Sequence, residues 1–513
     1  MKASADRHDR RTPPSTPLIK AVRSLCVKEK IRGGRISRKQ GGITVTVVPS
    51  VRTAVAFCLS HTQERKDKMD VIVKRPNGTQ DVTPAQVYKW HTIEQVVKDS
   101  AEQFGFKEIR IPTFEETGLF VRSVGDTTDV VQKEMYSVSA TGDEGYTLRP
   151  EGTAGTIRAV IQNGLLNEAM PQKVYYLLSC FRHEKAQKGR LREFHQFGCE
   201  LIGTASPAAD ADLIALAHSV LGRLGLDNVE LHLNSIGCPE CRAKYRQALR
   251  EYFLPHREEL CDTCKDRLDK NPMRLLDCKS EEDQELAKDA PVILDYLCEE
   301  CSAHFERVKK NLELMKISYT VDPKIVRGLD YYTRTVFEFI SKDIGSQGTV
   351  CGGGRYDGLI ETMGGKATPA LGFAMGLERL ILAMESRQCE FMAEKTCDLC
   401  FVTMGDAAAE KSVELAQLLR DEGYAVEYDL VGRKLKQQMN YADKIGAKYV
   451  IVLGDSELES GKAKLKNMKT GEQTDISIGE DICEQFAEQY YTLLLDTDDD
   501  FRNFVQAFSD GQE

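Results

Sequence analysis

The chain has 513 residues, enough for two or three domains with separate cores, and a formal net charge of -10, so its bulk composition is not that of a general nucleic-acid binder. Any polyanion site must then be a local basic patch on an acidic body. Sixteen cysteines are spread along the whole length beside apolar neighbours, as at Cys180, Cys199, Cys351 and Cys483, which fits reduced thiols of a cytoplasmic protein better than a secreted disulfide scaffold. No apolar run nears the ~18 residues that a bilayer span needs, so no membrane partner is expected.

Residues 1–40 hold twelve Lys/Arg against three Asp/Glu, with Pro13, Pro14 and Pro17 and no sustained apolar period. That composition predicts a disordered arm, and an organellar transit peptide or an extension outside the working protein would share it. Residues 1–68 are set apart on this ground, because ordered-looking sequence starts at Met69. Val87, Trp90, Ile93, Val97, Ala101 and Phe104 then recur at three- and four-residue steps, predicting an amphipathic helix that Gly105 ends. "KEIRIPTFEE" alternates Ile109 and Ile111 with charged residues, predicting a half-buried strand before Pro112.

Next come "TLRPEGT", with Glu151 and Thr153 around a turn, and "VYYLLSCFRHEKAQKGRLREFHQFGCELIG". The latter predicts two long strands joined by a polar loop through Gly189, an antiparallel hairpin. Arg182 and Glu184 share one face of the first strand by alternation; Phe194, Gln196, Gly198 and Glu200 share one face of the second. A guanidinium, an aromatic ring, an amide, a carboxylate and a side-chain-free gap suit a nucleotide and a small polar ligand, while Lys185, Lys188 and Arg190 in the loop suit a longer polyanion. An ordinary solvated hairpin is the competing reading.

"CPEC" (238–241) and "CDTC" (261–264) fit a C-x2-C...C-x2-C zinc template built on Cys238, Cys241, Cys261 and Cys264. Cys278 and "CEEC" (298–301) confuse the pairing, and reduced thiols in a helical insertion at about 236–320 remain the alternative. "RGLDYYTRTVFEF" comes next with Arg327 and Tyr332, then "VCGGGRYDGL" with Tyr356. "PALGFAMGLERLILAM" predicts a strand running into a helix, with Arg379 near a helix N-terminus, a natural place for phosphate. After about residue 395, "CDLCFVTMG", "YAVEYDL" and "KYVIVLG" alternate with helices at about 407–422 and 433–445, predicting a compact α/β domain to about residue 490. Val413, Ala416 and Leu419 are expected on one buried helical face there. Arg433, Lys434, Lys436 and Gln437 offer phosphate- or base-contacting groups, and an acidic tail at 491–513 closes the chain.

The hairpin resembles the second signature motif of class II aminoacyl-tRNA synthetases, "GLERL" their third, and the helix and strand of residues 86–116 their dimer-forming first. "RGLDYYTRTVFEF" and "GGGRYDGL" resemble segments peculiar to the histidyl-tRNA synthetase branch. The resemblance covers about residues 69–490. It implies an α/β fold of the α+β kind: an antiparallel sheet flanked by helices in a catalytic domain at 69–394, with the helical insertion and a C-terminal anticodon-binding domain at 395–490. It also implies a homodimer that activates L-histidine with ATP and Mg2+ and transfers it to histidine tRNA. By motif match Arg182, Arg327 and Arg379 would serve the phosphates, and Glu184 and Phe194 the adenine end. Glu151, Thr153 and Gln196 would hold the ends of the amino acid, Glu200 and Tyr332 would read its imidazole, and Tyr356 would close the pocket. Gln187 and Arg190 would meet the tRNA acceptor end, although Lys185-Ala186 departs from the Arg-Pro pair expected there. No catalytic metal ligand, Walker loop or editing domain is assigned. A catalytically silent regulatory subunit of histidine biosynthesis, or a tRNA-binding sensor, is the alternative, and either would be expected to lose motif residues.

Overall fold

A computed structural model of the chain describes residues 74–497 apart from 126–127, 129, 141–142, 279 and 346–347. It also describes a hairpin of β1 (Ile36–Lys39) against β2 (Gly42–Val45), which includes part of the stretch expected to be a disordered arm. Otherwise that arm, and the acidic tail from Asp498 onward, fall outside the described residues. The chain divides into two units, Met1–Pro76 and Asn77–Glu513, and the second holds every other strand and helix of the described residues.

α1 (Pro84–Gln103) begins with Pro84, whose missing N–H would have no helical partner there, and it buries the expected stripe of Trp90, Ile93, Val97 and Ala101. Each large side chain of that stripe contributes about 1.5–3 kcal/mol on burial. The strand expected next is cut short. β3 is only Lys107–Glu108, parallel to Val174–Tyr175 of a later strand, and beyond Pro112 β4 (Phe114–Glu116) joins a different sheet. That small sheet is completed, after α2 (Thr117–Val124), by β5 (Ser137–Ala140) and β6 (Asp143–Leu148) in the order β4-β6-β5.

After α3 (Thr153–Gln162), β7 (Gln172–Phe181) and β8 (Glu193–Ile202) form the expected hairpin in unbroken antiparallel register from Gln172↔Ile202 to Phe181↔Glu193. α4 (Pro207–Arg223) and β9 (Glu230–Ser235) lead into the insertion, which carries α5 (Pro239–Phe253), α6 (Asp262–Lys270), α7 (Glu281–Leu286) and α8 (Glu299–Leu314). The chain returns through β10 (Thr320–Val321), β11 (Thr333–Ile340), β12 (Thr349–Arg355), α9 (Leu359–Thr362), β13 (Ala370–Gly376) and α10 (Leu377–Arg387).

Together these strands make an eight-stranded sheet in the order β10-β9-β11-β12-β13-β8-β7-β3, antiparallel except at its two edges. Alternation along β8 sends Phe197, Cys199 and Leu201 into a core against α1, α4, α8 and α10, leaving Phe194, Gln196, Gly198 and Glu200 for the opposite face. Arg355, fully buried, pairs with Asp210 of α4 at 2.7 Å and thereby locks β12 to that helical layer.

The C-terminal domain has the order β15-β14-β16-β17-β18. Its elements are β14 (Leu399–Thr403), α11 (Asp406–Asp421), β15 (Val426–Glu427), α12 (Leu435–Lys444), β16 (Tyr449–Leu453), α13 (Asp455–Ser460), β17 (Lys462–Asn467), β18 (Gln473–Ser477) and α14 (Ile482–Thr497). The parallel core of β14, β15 and β16 matches the expected strands; the β17–β18 pair and α14 were not anticipated. α14 runs across the boundary drawn at residue 490. On α11 the buried face is Ala408, Ser412, Leu415, Ala416 and Leu419, whereas Val413 is 48% exposed. Val413 sits one residue, about 100° of helix, past Ser412, so pairing it with Ala416 chose the wrong edge of the stripe.

Candidate active site

A cavity of about 370 Å³ opens on the face of the large sheet away from its helical layer. Arg182, Arg327 and Arg379, drawn from three separate stretches of sequence, all line it. The end of β7 supplies Arg182, whose Nε donates to Pro150 O at 2.8 Å and whose guanidinium lies 5.2 Å from the Phe194 ring centre. Arg379, in the first turn of α10, donates from Nε to Gly189 O at 3.2 Å and from Nη1 to Thr349 O at 2.6 Å. Burial, with Arg190 and Arg182 close by, lowers the Arg379 pKa. Positive charge packed this closely favours any anion that enters between the guanidiniums.

Arg327 is held by the Glu338 carboxylate of β11, whose other oxygen accepts from Thr349 Oγ1 at 3.0 Å. Burial works against its charge, but Glu338 and Tyr332 outweigh burial and raise its pKa. Its buried Nε has no hydrogen-bond partner among the described residues, a donor that an incoming oxyanion would satisfy. Gly352 on β12 makes the room: a Cβ there would collide with the Arg327 guanidinium.

Two buried carboxylates, Glu151 in the lining and Glu200 beneath it, complete the site. Glu151 accepts from the backbone N–H of Thr153 at 2.7 Å and of Ala154 at 2.9 Å, so it caps α3 as well as facing the cavity. Burial raises its pKa despite those bonds. Glu200 accepts from Thr153 Oγ1 at 2.8 Å, from Tyr176 Oη at 3.1 Å and from the Tyr356 hydroxyl. Burial nonetheless pushes its pKa up to about 8, since a buried charge is penalised more than three neutral donors restore.

Among the residues singled out from the sequence, Glu151, Thr153, Arg182, Glu184, Arg190, Phe194, Gln196, Arg327, Tyr332 and Arg379 line this cavity. Glu200 and Tyr356, which were expected to contact the ligand, are not among the residues lining the cavity and hydrogen-bond to each other, whereas Tyr332 lines it. Gln187 lies in an adjoining depression with Lys188, closing a tight turn with Arg190, whose guanidinium pairs with Glu184. Three residues were missed. Tyr176 lies opposite Gly198 in the hairpin, Glu338 stands inside the segment quoted for Arg327, and Glu378 adjoins Arg379 and binds the His195 ring at 2.9 Å. Strand alternation, extended back from Arg182 along β7, was the signal that could have found Tyr176.

The zinc template is corrected by the fold. Cys238 and Cys241 cluster with Cys298 and Cys301, whereas Cys261 and Cys264 cluster with Cys278 and Asp283, so the two quoted C-x2-C motifs do not meet. Helix α5 carries the first motif away from the second, and α8 brings "CEEC" back. In the C-terminal domain, Arg433 pairs with Asp429 at 2.7 Å and lies 4.2 Å from the Tyr441 ring centre, while Lys434 and Lys436 open α12.

Comparison with known proteins gives consistent matches. Residues 78–380 match the family model for histidyl-tRNA synthetase, and residues 398–483 match that for an anticodon binding domain. The histidine-tRNA ligase of Acetivibrio thermocellus is 52% identical over 408 residues, 80% of this chain and 98% of that protein. That of Clostridium novyi is 53% identical over 406 residues, 79% of this chain and 97% of the relative. Among solved structures, apo S. aureus histidyl-tRNA synthetase aligns with a TM-score of 0.69 and 40% identity, covering 81% of this chain and all of the other.

Proposed function

Because the chain belongs to the histidyl-tRNA synthetase family, we propose that this cavity activates L-histidine with ATP and that the enzyme then passes the histidyl group to the 3′ end of histidine tRNA. One observation carries the reading: three arginines from separate motifs line one cavity, together with an aromatic ring, an amide and a carboxylate.

In the first step a histidine carboxylate oxygen attacks the α-phosphorus of ATP; the new P–O bond forms as the bond to the bridging oxygen breaks and pyrophosphate leaves. Two anions must approach each other, so the site supplies positive charge and alignment and needs no protein nucleophile. Arg182 and Arg327 take the α-phosphate from either side, the unpartnered Nε of Arg327 supporting that role. Arg379 takes the γ-phosphate of a bent nucleotide, and Phe194, already beneath the Arg182 guanidinium, stacks on adenine with Glu184 nearby. Glu184 and Glu338 of the lining would supply oxygen donors to a magnesium ion accompanying ATP, which would supply charge neutralisation at the phosphates.

Glu151, Thr153 and Gln196 hold the amino and carboxylate ends of histidine, and Tyr332 offers its hydroxyl to the imidazole. Glu200 acts through the Thr153, Tyr176 and Tyr356 hydroxyls that it orients. A site that hydrogen-bonds a polar substrate rejects analogues lacking the group by roughly 10⁴–10⁵, which removes the need for editing. In the second step a ribose hydroxyl of the tRNA's terminal adenosine attacks the activated carbonyl; the ester C–O bond forms as the carbonyl C–O bond to the phosphate breaks, the hydroxyl proton passes to the departing phosphate or to water, and AMP leaves. The Gln187–Arg190 turn at the cavity mouth suits that incoming strand.

The homodimer and the cytoplasmic setting belong to the same proposal. The second is supported by thiols that are all free among the described residues, while none of the described helices is long and apolar enough to cross a membrane. The regulatory and sensor alternatives gain no support, since relatives at 52% and 53% identity carry the ligase name and every expected arginine is present. Arg327→Ala tests the assignment: adenylate formation should fall by about 10²–10³ while histidine tRNA binds with unchanged affinity. Equal loss of both would overturn the role given to Arg327.

A further inference from the structure

The insertion cysteines are a sequence motif that the activation chemistry does not use. α5, α6 and α8 start alike, each with a cysteine at the cap position and a second one three residues later: Cys238 and Cys241, Cys261 and Cys264, Cys298 and Cys301. A C-x2-C across a helix start places two sulfurs side by side within one helical turn.

The fold then sorts these pairs into two closed groups. Cys238, Cys241, Cys298 and Cys301 form one; Cys261, Cys264, Cys278 and Asp283 form the other; in each, all four donor atoms lie within 4.8 Å of one another. A tetrahedral site with Zn–S bonds of about 2.3 Å has S···S edges near ~3.8 Å. The Cys238 and Cys241 sulfurs are 3.5 Å apart, and those of Cys261 and Cys278 are 3.8 Å apart, far beyond the ~2.05 Å of a disulfide. Neighbouring groups orient the donors as they do around a metal. The Cys298 N–H donates to Cys241 Sγ at 3.0 Å, and Asp283 accepts the Cys261 N–H at 3.1 Å with one oxygen while the other lies 3.0 Å from Cys278 Sγ. Each group supplies a full set of four protein ligands, mostly soft thiolates, which selects zinc over hard cations and leaves no open position for catalysis.

We propose that the insertion binds two structural zinc ions, one through Cys238, Cys241, Cys298 and Cys301 and one through Cys261, Cys264, Cys278 and Asp283. The first sits at the neck of the insertion and joins its first helix to its last. That neck is bonded to the segment carrying Tyr332: Arg242 of α5 donates to Tyr332 O at 2.9 Å, the Arg334 N–H donates to Gly237 O at 2.9 Å, and the Arg334 side chain pairs with Glu300 at 2.6 Å. Zinc at the neck therefore steadies Tyr332 without touching substrate. The second ion fastens α6 and α7 inside the insertion, where Cys264, Cys278 and Asp283 are buried.

The full chain, purified without chelator, should hold two zinc equivalents by elemental mass spectrometry. Cys298→Ser with Cys301→Ser should remove one equivalent, and Cys261→Ser with Cys278→Ser the other. Cobalt exchanged into the unmutated chain should give the intense near-ultraviolet charge-transfer bands of thiolate ligation. Stripping zinc with a mercurial should raise KM for histidine more than it lowers kcat. The proposal is overturned if the unmutated chain, saturated with zinc and then gel-filtered, retains none. Stoichiometric iron with visible sulfide-cluster absorbance would also overturn it. Neither outcome depends on the variants folding, or on activity.

Discussion

Glu200 is where local chemistry has the most measurable consequence. Its pKa, pushed up to about 8 by burial, lies far above the ~4.3 of an unfolded glutamate. Below about pH 4 both states carry the proton, and the fold has no penalty from this group. As pH rises toward 8 the unfolded chain releases its proton while the fold must keep it or bury a charge, so this contribution to stability is lost across that window. Glu200→Gln should therefore flatten the fall in stability between pH 4 and pH 8, as tracked by denaturant midpoints. Above about pH 8, where the carboxylate is ionised, the same change should raise KM for histidine about ten- to hundredfold, because the Tyr356 hydroxyl then loses its acceptor. A variant with the unaltered pH slope would show that Glu200 is ionised throughout.

At the scale of elements, the β7–β8 hairpin holds the site. Gly198 sits against Tyr176 across the pair, and a Cβ there would enter the Tyr176 ring, which is itself fully buried. Gly198→Ala should destabilise the fold by about 1–3 kcal/mol through overpacking and raise KM for histidine. Gly118→Ala, where a Cβ meets nothing within 4 Å, should do neither; melting curves and exchange kinetics distinguish the two. The hairpin, α1, and the strand-to-helix passage at Arg379 were legible because each has a strong period of two or 3.6 residues. The strand through Ile109 and Ile111 was overread, since alternation does not reveal which sheet a strand joins: β3 ends at Glu108 and β4, beyond Pro112, belongs to the small sheet. β17 and β18 carry lysines and polar residues on an exposed face, a weak signal, and the cysteine pairing is set by where α8 returns.

Across the whole molecule, an acidic chain gathers Arg182, Arg190, Arg327 and Arg379 in one cavity, with Glu151, Glu184, Glu338 and Glu378 among them, and carries a second α/β domain with Arg433, Lys434 and Lys436 at the start of α12. The fold makes one surface of the large sheet a helix-packed core and leaves the other for chemistry. From sequence, the arginines could be named but not shown to converge, because Arg182, Arg327 and Arg379 are brought together only by the strand order β11-β12-β13-β8-β7. The central claim is that this convergence activates histidine. The most direct measurement is ATP–pyrophosphate exchange by the purified full chain with each of the twenty amino acids in turn. Exchange with histidine alone is the predicted result; a folded chain that gives no exchange, or exchanges with another amino acid as readily, would contradict it.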